Sequence, residues 1–292
     1  MTVTYPRKTH YGMDARAILE QVIQNREIHM VTLNRYRFNE QHSCKDLTEL
    51  IELLNGEPRE LVRDLARHVA DEARHAVWLT DLLYELGEDL GTPPGVSYIG
   101  EFERLLGDAS QEPEERMIEA LAAINVTEKR GCEYFSAHIK ALKAAPSEEN
   151  DKIRATIEQI FPEETGHVRW GNRLLAEIAK KSDRHRQKVT AAKEKYSRIE
   201  QAAYEAGMDI MAGAELRRLN DLVEITNKLP LWDRPQYLME RLPQTLLSPE
   251  LQMTRLHVAK KAWDRNPQDF IEKFVPMFLN GIQPAPKKAK PA

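Results

Sequence analysis

Two Glu-x-x-His tetrads, Glu72-Ala73-Arg74-His75 and Glu164-Thr165-Gly166-His167, each lie midway along a long run of helix-forming residues. Residues three apart share a helix face, so each tetrad turns a carboxylate and an imidazole toward one spot. Two such helices, plus one inward glutamate from each of two more, make the ligand set of a di-metal carboxylate site in a helical bundle. One tetrad in a charged helical chain carries little information. The other helices must supply the two glutamates.

The helix of the second tetrad carries a stripe of Ile153, Ile157, Ile160, Glu164, His167, Gly171, Leu174 and Ile178, at alternating steps of four and three. Glu164 and His167 thus occupy consecutive positions of an otherwise apolar seam. The first tetrad sits likewise in Leu61, Leu65, His68, Glu72, His75, Leu79, Leu82 and Leu86, on a helix opened by Pro58 and closed by Gly87 and Gly91. A third helix, from Pro113 to just before Pro146, has the stripe Leu121, Asn125, Glu128, Cys132, Phe135, Ile139 and Leu142. Glu128 is its seam acid, whereas Glu133 points elsewhere.

The first helix, read as residues 14–41, offers Glu20, Glu27 and Glu40. Glu27 lies halfway along that span, with Ile23 before it and Met30 and Val31 after it. Ile23-Gln24-x-x-Glu27 also matches Ile124-Asn125-x-x-Glu128. Glu40 has the more usual separation from the following tetrad. Residues 43–57, however, read as a short inserted helix (Leu47, Leu50, Ile51, Leu54) closed by Asn55-Gly56, which accounts for the longer gap from Glu27. Glu27 is preferred as the ligand, with Glu40 the alternative. The chain then reads as two helical hairpins, each carrying Glu followed by Glu-x-x-His, joined by a Gly- and Pro-rich crossover over residues 90–112.

Composition agrees. Hydrophobic residues make up 41% and charged residues 30% of 292, with only 13 glycines and almost no strand-like alternation, so an all-α fold is expected. A net charge of −4 is too mild to name a partner. No apolar run approaches the roughly 20 residues of a membrane span. The opening Met1-Thr2-Val3-Thr4-Tyr5-Pro6-Arg7-Lys8 has no apolar core of a secretion signal. Cys44 and Cys132 fall in unrelated contexts, so no disulfide framework is expected. These features suggest a cytoplasmic protein.

Glu27, Glu72-x-x-His75, Glu128 and Glu164-x-x-His167 resemble the ligands of the ferritin-like (ribonucleotide-reductase-like) non-haem di-iron carboxylate superfamily, over residues 14–180. Asp71-Glu72-Ala73-Arg74-His75 is similar to the D/E-E-x-R-H form of its oxygen-activating members, including soluble monooxygenase hydroxylases and acyl-carrier-protein desaturases. The resemblance implies a four-helix bundle of two hairpins with two metal ions. It also implies that the acid before each ligand glutamate, Asp71 or Glu163, holds a ligand histidine from behind, and that Arg74 pairs with such acids. The second tetrad keeps Glu163 but has Gly166 in place of the arginine. Cys132, one turn above Glu128, occupies the place where several relatives line an oxygen pocket with a hydroxyl. It reads as a small packing residue there.

The physical case for metal stands beside the resemblance. Four carboxylates buried together repel and are costly to desolvate, and two divalent cations cancel their charge. Oxygen-rich ligation with one imidazole per metal suits iron, or a manganese–iron pair, better than zinc. His68, one turn before Glu72, is expected to pack in the core or support the site rather than ligate. His10, His29, His42 and His138 lie off the seams and are expected at the surface. Nothing selects a redox role for Tyr36, Tyr84 or Tyr134, which are expected to pack.

Beyond residue 182 the pattern changes. A basic stretch (Lys180, Lys181, Arg184, Arg186, Lys188, Lys193, Lys195, Arg198) precedes a helix with Val189, Ala192, Tyr196, Ile199 and Ala203. Further helices are expected at 210–229, 234–241, 249–263 and 267–279. Trp232, Trp263, Phe270, Phe274 and Phe278 could pack residues 182–280 on the bundle as a C-terminal extension, and 283–292 should be a disordered tail. The basic stretch reads as a solvated face; it could instead dock an acidic carrier protein, an acyl thioester or RNA. No nucleic-acid motif is recognised. The leading expectation is an O2-dependent di-iron oxidase or oxygenase acting on a small-molecule or acyl-type organic substrate, which an electron donor could serve, with the oligomeric state open and a homodimer one option. Iron handling or peroxide detoxification is one alternative, and a non-catalytic Mn/Fe ligand-binding protein the other.

Overall fold

A computed structural model describes residues 15–88, 90–91, 98–106, 112–211, 215–245 and 249–280. These residues are mostly helical, with no strand among them, and the fold is an all-α helical bundle. They fall into two compact units. The first takes the described parts of Met30–Pro93 and Ser97–Tyr204, and the second those of Met1–His29 and Glu205–Ala292.

Four long helices supply the first unit's seam residues: α2 (Arg26–Leu54), α3 (Arg59–Glu85), α5 (Pro113–Ala144) and α6 (Glu148–Lys180), after a short α1 (Ala15–Val22) and around a short α4 (Tyr98–Leu106) within the crossover. Local chemistry sets their ends. Pro58 is the N-cap of α3, and Gly87, at φ 73°, turns the chain out of it. The Glu112 carboxylate accepts the amides of Glu114 and Glu115 at the head of α5, and Ser147 accepts that of Asn150 at the head of α6.

The first helix departs from expectation in two ways. It breaks at residues 23–25, where the Asn25 side chain accepts the Ile28 amide at 3.2 Å and so caps a new helix. That helix, α2, then runs without interruption to Leu54, where Asn55 (φ 48°) and Gly56 (φ 89°) close it. Residues 43–54 are therefore no insertion but the last turns of α2. Its midpoint is Glu40, not Glu27.

One apolar core of the first unit gathers Leu47 and Leu50 of α2, Leu61 and Leu65 of α3, Phe102 of α4, Ile118 and Leu121 of α5, and Leu175 and Ile178 of α6. Val189, Ala192, Tyr196 and Ala203 of α7 (Asp183–Met211) complete it. Acids of α5 take up part of the basic stretch: Lys188 reaches Glu112 at 3.0 Å, Lys195 reaches Glu119 at 2.7 Å, and His185 reaches Glu114 at 2.9 Å. α5 and α6 approach closely. Asn125 donates its amide to the Val168 carbonyl at 3.0 Å, and a Cβ at Gly171 would lie 2.6 Å from that amide nitrogen. Gly171 occupies a seam position because Asn125 fills the space of its side chain.

In the second unit, α8 (Glu215–Lys228), α9 (Arg234–Thr245), α10 (Pro249–Arg265), α11 (Pro267–Asp269), a π-helical turn (Phe270–Phe274) and α12 (Val275–Asn280) follow the expected order. Trp263 meets Phe270 edge-on at 5.5 Å, and Phe270 stacks on Phe274 at 5.3 Å, but Trp232 is exposed. The side chain of Phe278 and residues 283–292 lie outside the described residues. His29 and His138 are buried rather than at the surface, while His42 is half-buried against Glu103.

Two stability predictions follow from these contacts. Gly171→Ala should cost about 1–3 kcal/mol by overpacking, read as a lowered denaturation midpoint. Burial, then the charge of Arg26, lowers the His29 pKa from 6.5 to about 4. Its neutral form therefore favours folding, a contribution present in full above pH 6.5 and lost as pH falls toward 4. The loss amounts to about 3 kcal/mol, and His29→Gln should flatten that limb of the stability curve.

Candidate metal centre

Seven buried side chains from α2, α3, α5 and α6 form two groups that meet at Glu72. His68, Glu72, Glu128 and His167 present ligand atoms within 4.8 Å of one another, and so do Glu40, Glu72, His75 and Glu164. The three-residue spacing accounts for Glu72 with His75 and for Glu164 with His167. Helix register brings the rest. Glu40 projects from the midpoint of α2, Glu128 from the seam of α5, and His68 from α3 one turn before Glu72.

Within the second group, His75 Nδ1 lies 2.9 Å from Glu164 Oε1 and 3.4 Å from Glu40 Oε2. In the first, His167 Nδ1 lies 3.2 Å from Glu72 Oε1, and His68 Nε2 lies 3.1 Å from both Glu72 Oε1 and Glu128 Oε1. Despite these distances, His75 Nδ1, His167 Nδ1, Glu72 Oε1 and Glu164 Oε1 are enclosed and lack a hydrogen bond. Buried polar atoms are nearly always satisfied. Lone pairs that converge without bonding to one another are what a cation between them requires.

The electrostatics agree. Burial, then the neighbouring Glu72 and Glu128, push the Glu40 carboxyl well above the usual range. Burial and the charges of Glu40, Glu128 and Glu72 do the same to Glu164. Burial also acts upward on Glu72, but the adjacent His167 and His68 imidazoles outweigh it and hold that carboxyl low. Burial acts downward on His68, yet its hydrogen bond to Glu128 and the nearby Glu72 carboxylate prevail and raise it to about 10. Without cations the centre thus disfavours the charged forms of Glu40 and Glu164 and favours that of His68. Four carboxylates and three imidazoles, all enclosed, are a donor set that two divalent ions satisfy.

Behind the ligands the two tetrads cross over. Asp71, beside Glu72, accepts from His167 Nε2 at 3.3 Å, and Glu163, beside Glu164, accepts from His75 Nε2 at 2.8 Å. Each acid thus holds the histidine of the other tetrad, leaving Nδ1 free to face the ligand group. Arg74 donates to Asp71 at 2.6 Å and to Glu163 at 2.7 Å. One guanidinium serves both acids, so the Gly166 position needs no arginine. Burial raises Asp71, but Arg74 and His167 outweigh it and keep its carboxyl below the ordinary range.

Glu72, His75, Glu128, Glu164 and His167 are therefore brought together as expected. Glu27 is not among them. It lies in the first turn of α2, where an acid suits the helix dipole, and pairs with Arg265 at 2.6 Å within the second unit. The alternative, Glu40, takes the place assigned to it. His68, expected to support or pack, faces two of the carboxylates directly. A histidine one turn from a ligand pair on an apolar seam was its only sequence signal. Cys132 stays outside both groups as a half-buried free thiol, pushed up to about 12 by burial and the nearby Glu128 and Glu133. Tyr36 and Tyr134 are buried and Tyr84 is exposed. No helix among the described residues is long and apolar enough to cross a membrane.

Metal content separates the two glutamates of α2. Glu40→Ala should lose at least one divalent ion per chain by elemental analysis. Glu27→Ala should keep full content, at a stability cost of about 1 kcal/mol or less for a partly exposed ion pair. The reverse pattern would place the ligand at Glu27.

No curated protein and no solved structure matches the chain. A family model described as a protein of unknown function (DUF455) matches residues 13–218, a span that holds every residue of the two groups, and the chain belongs to that family.

Proposed function

We propose that this chain is a ferritin-like, non-haem di-iron protein that uses O2 to oxidise an organic substrate. The observation that carries the reading is the pair of ligand groups sharing Glu72, backed by the crossed Asp71–His167 and Glu163–His75 bonds. Four carboxylates with few imidazoles favour iron or manganese over zinc, whose sites are smaller and richer in nitrogen or sulfur. Glu40, Glu72, His75, Glu128, Glu164 and His167 would hold the two ions. Bound ferrous ions supply the electrons that reduce O2.

The chain's own residues set the conditions for that chemistry. Asp71 and Glu163 fix the tautomer and angle of the two imidazoles, so each Nδ1 lone pair stands ready. Arg74 neutralises both acids at the partly exposed rim of the site. The seam residues Leu65, Leu79, Leu121, Ile157 and Ile160, all buried, exclude water from the centre. Cys132 stands one turn from Glu128 as a small wall residue whose raised thiol stays protonated, leaving room beside the carboxylate.

The test is anaerobic loading of the full chain with Fe(II), followed by exposure to oxygen. We expect two iron ions per chain, rapid oxidation and a transient visible absorbance. Full iron occupancy with no oxidation would sink the reading. Uptake of many irons per chain would transfer it to iron storage.

A further inference from the structure

We infer that His68 is a metal ligand that makes the two metal positions chemically unequal, giving the one it serves a preference for later first-row ions such as Co(II) and Zn(II). The inference rests on the dinuclear reading above and adds a ligand to it. His68 and His167 approach Glu72 Oε1 together, at 3.1 and 3.2 Å, with ring centroids 3.6 Å apart, so two imidazole nitrogens aim at one region beside Glu72 and Glu128. Trp170 packs edge-on against His68 at 5.9 Å and limits its rotation. With His68, Glu72 and His75 at steps of four and three, one face of α3 delivers three candidate ligands.

The other half of the repeat has no counterpart. Four residues before Glu164, where His68 stands relative to Glu72, lies the fully buried Ile160. One position therefore has two imidazoles with Glu72 and Glu128, and the other has His75 alone with Glu40, Glu72 and Glu164. Imidazole binds later first-row ions more strongly than carboxylate does, and an oxygen-rich set suits manganese and iron. The nitrogen-rich position fills first with Co(II) or Zn(II), while Mn(II) enters the other.

The experiment titrates the metal-free full chain with Co(II), followed by visible absorption and calorimetry, for the wild type, His68→Gln and His68→Cys. We expect two Co(II) per wild-type chain in steps separated by about tenfold or more in affinity, on the scale of losses at metal-supporting residues. His68→Gln should weaken the tighter step and bring the two together. His68→Cys should add a thiolate-to-cobalt charge-transfer band, a signature that a histidine merely paired with carboxylates would not yield. Two steps in the wild type, unmoved in His68→Gln and without the band in His68→Cys, overturn the role of His68 and leave the dinuclear reading standing. Fewer than two Co(II) in the wild type overturns the dinuclear reading itself.

Discussion

The mutual repulsion of Glu40, Glu72, Glu128 and Glu164 is the constraint around which the first unit is organised. Four enclosed carboxylates at a common centre cannot all be charged without compensation. In the metal-free chain burial and the neighbouring carboxylates push the Glu40 and Glu164 carboxyls up, while the adjacent His167 and His68 hold Glu72 low. Glu72 is also the residue that both ligand groups share. Helix ends and the Gly171–Asn125 contact help fix the register of the helices that carry these residues.

A surrounding layer of charge turns that register into geometry. Asp71 and Glu163 reach across from one tetrad to the histidine of the other. The halves of the repeat therefore interlock rather than stand side by side. A carboxylate behind an imidazole also raises its basicity toward a cation. The same residues that orient the ligands strengthen them.

Much of this was legible in the sequence, for identifiable reasons. Glu72, His75, Glu164 and His167 declared themselves through local spacing on long amphipathic helices, and Glu128 through its place in an apolar seam. Glu40 did not, because locating it required the true start of α2. A strong helical run over residues 14–41 conceals a break that depends on one side-chain oxygen of Asn25 accepting one amide. With the break unseen, the halfway point shifted to Glu27, whose acid belongs to a helix terminus and a partner far along the chain, Arg265. His68 was hidden differently. A seam histidine is equally at home in a core, and only tertiary placement beside Glu128 distinguishes the two. His29 and His138 carry the same lesson, since neither lies on a seam and both are enclosed.

Arg74 gives the site a shared point of failure. Because a single guanidinium satisfies both Asp71 and Glu163, the supports of the two imidazoles have no redundancy. Losing that side chain would free both acids at once, and both rings would lose their restraint in one event. The Gly166 position, where a Cβ would meet nothing within 4 Å, has space for a side chain but supplies none. The two halves divide the labour, one carrying the clasp and the other relying on it.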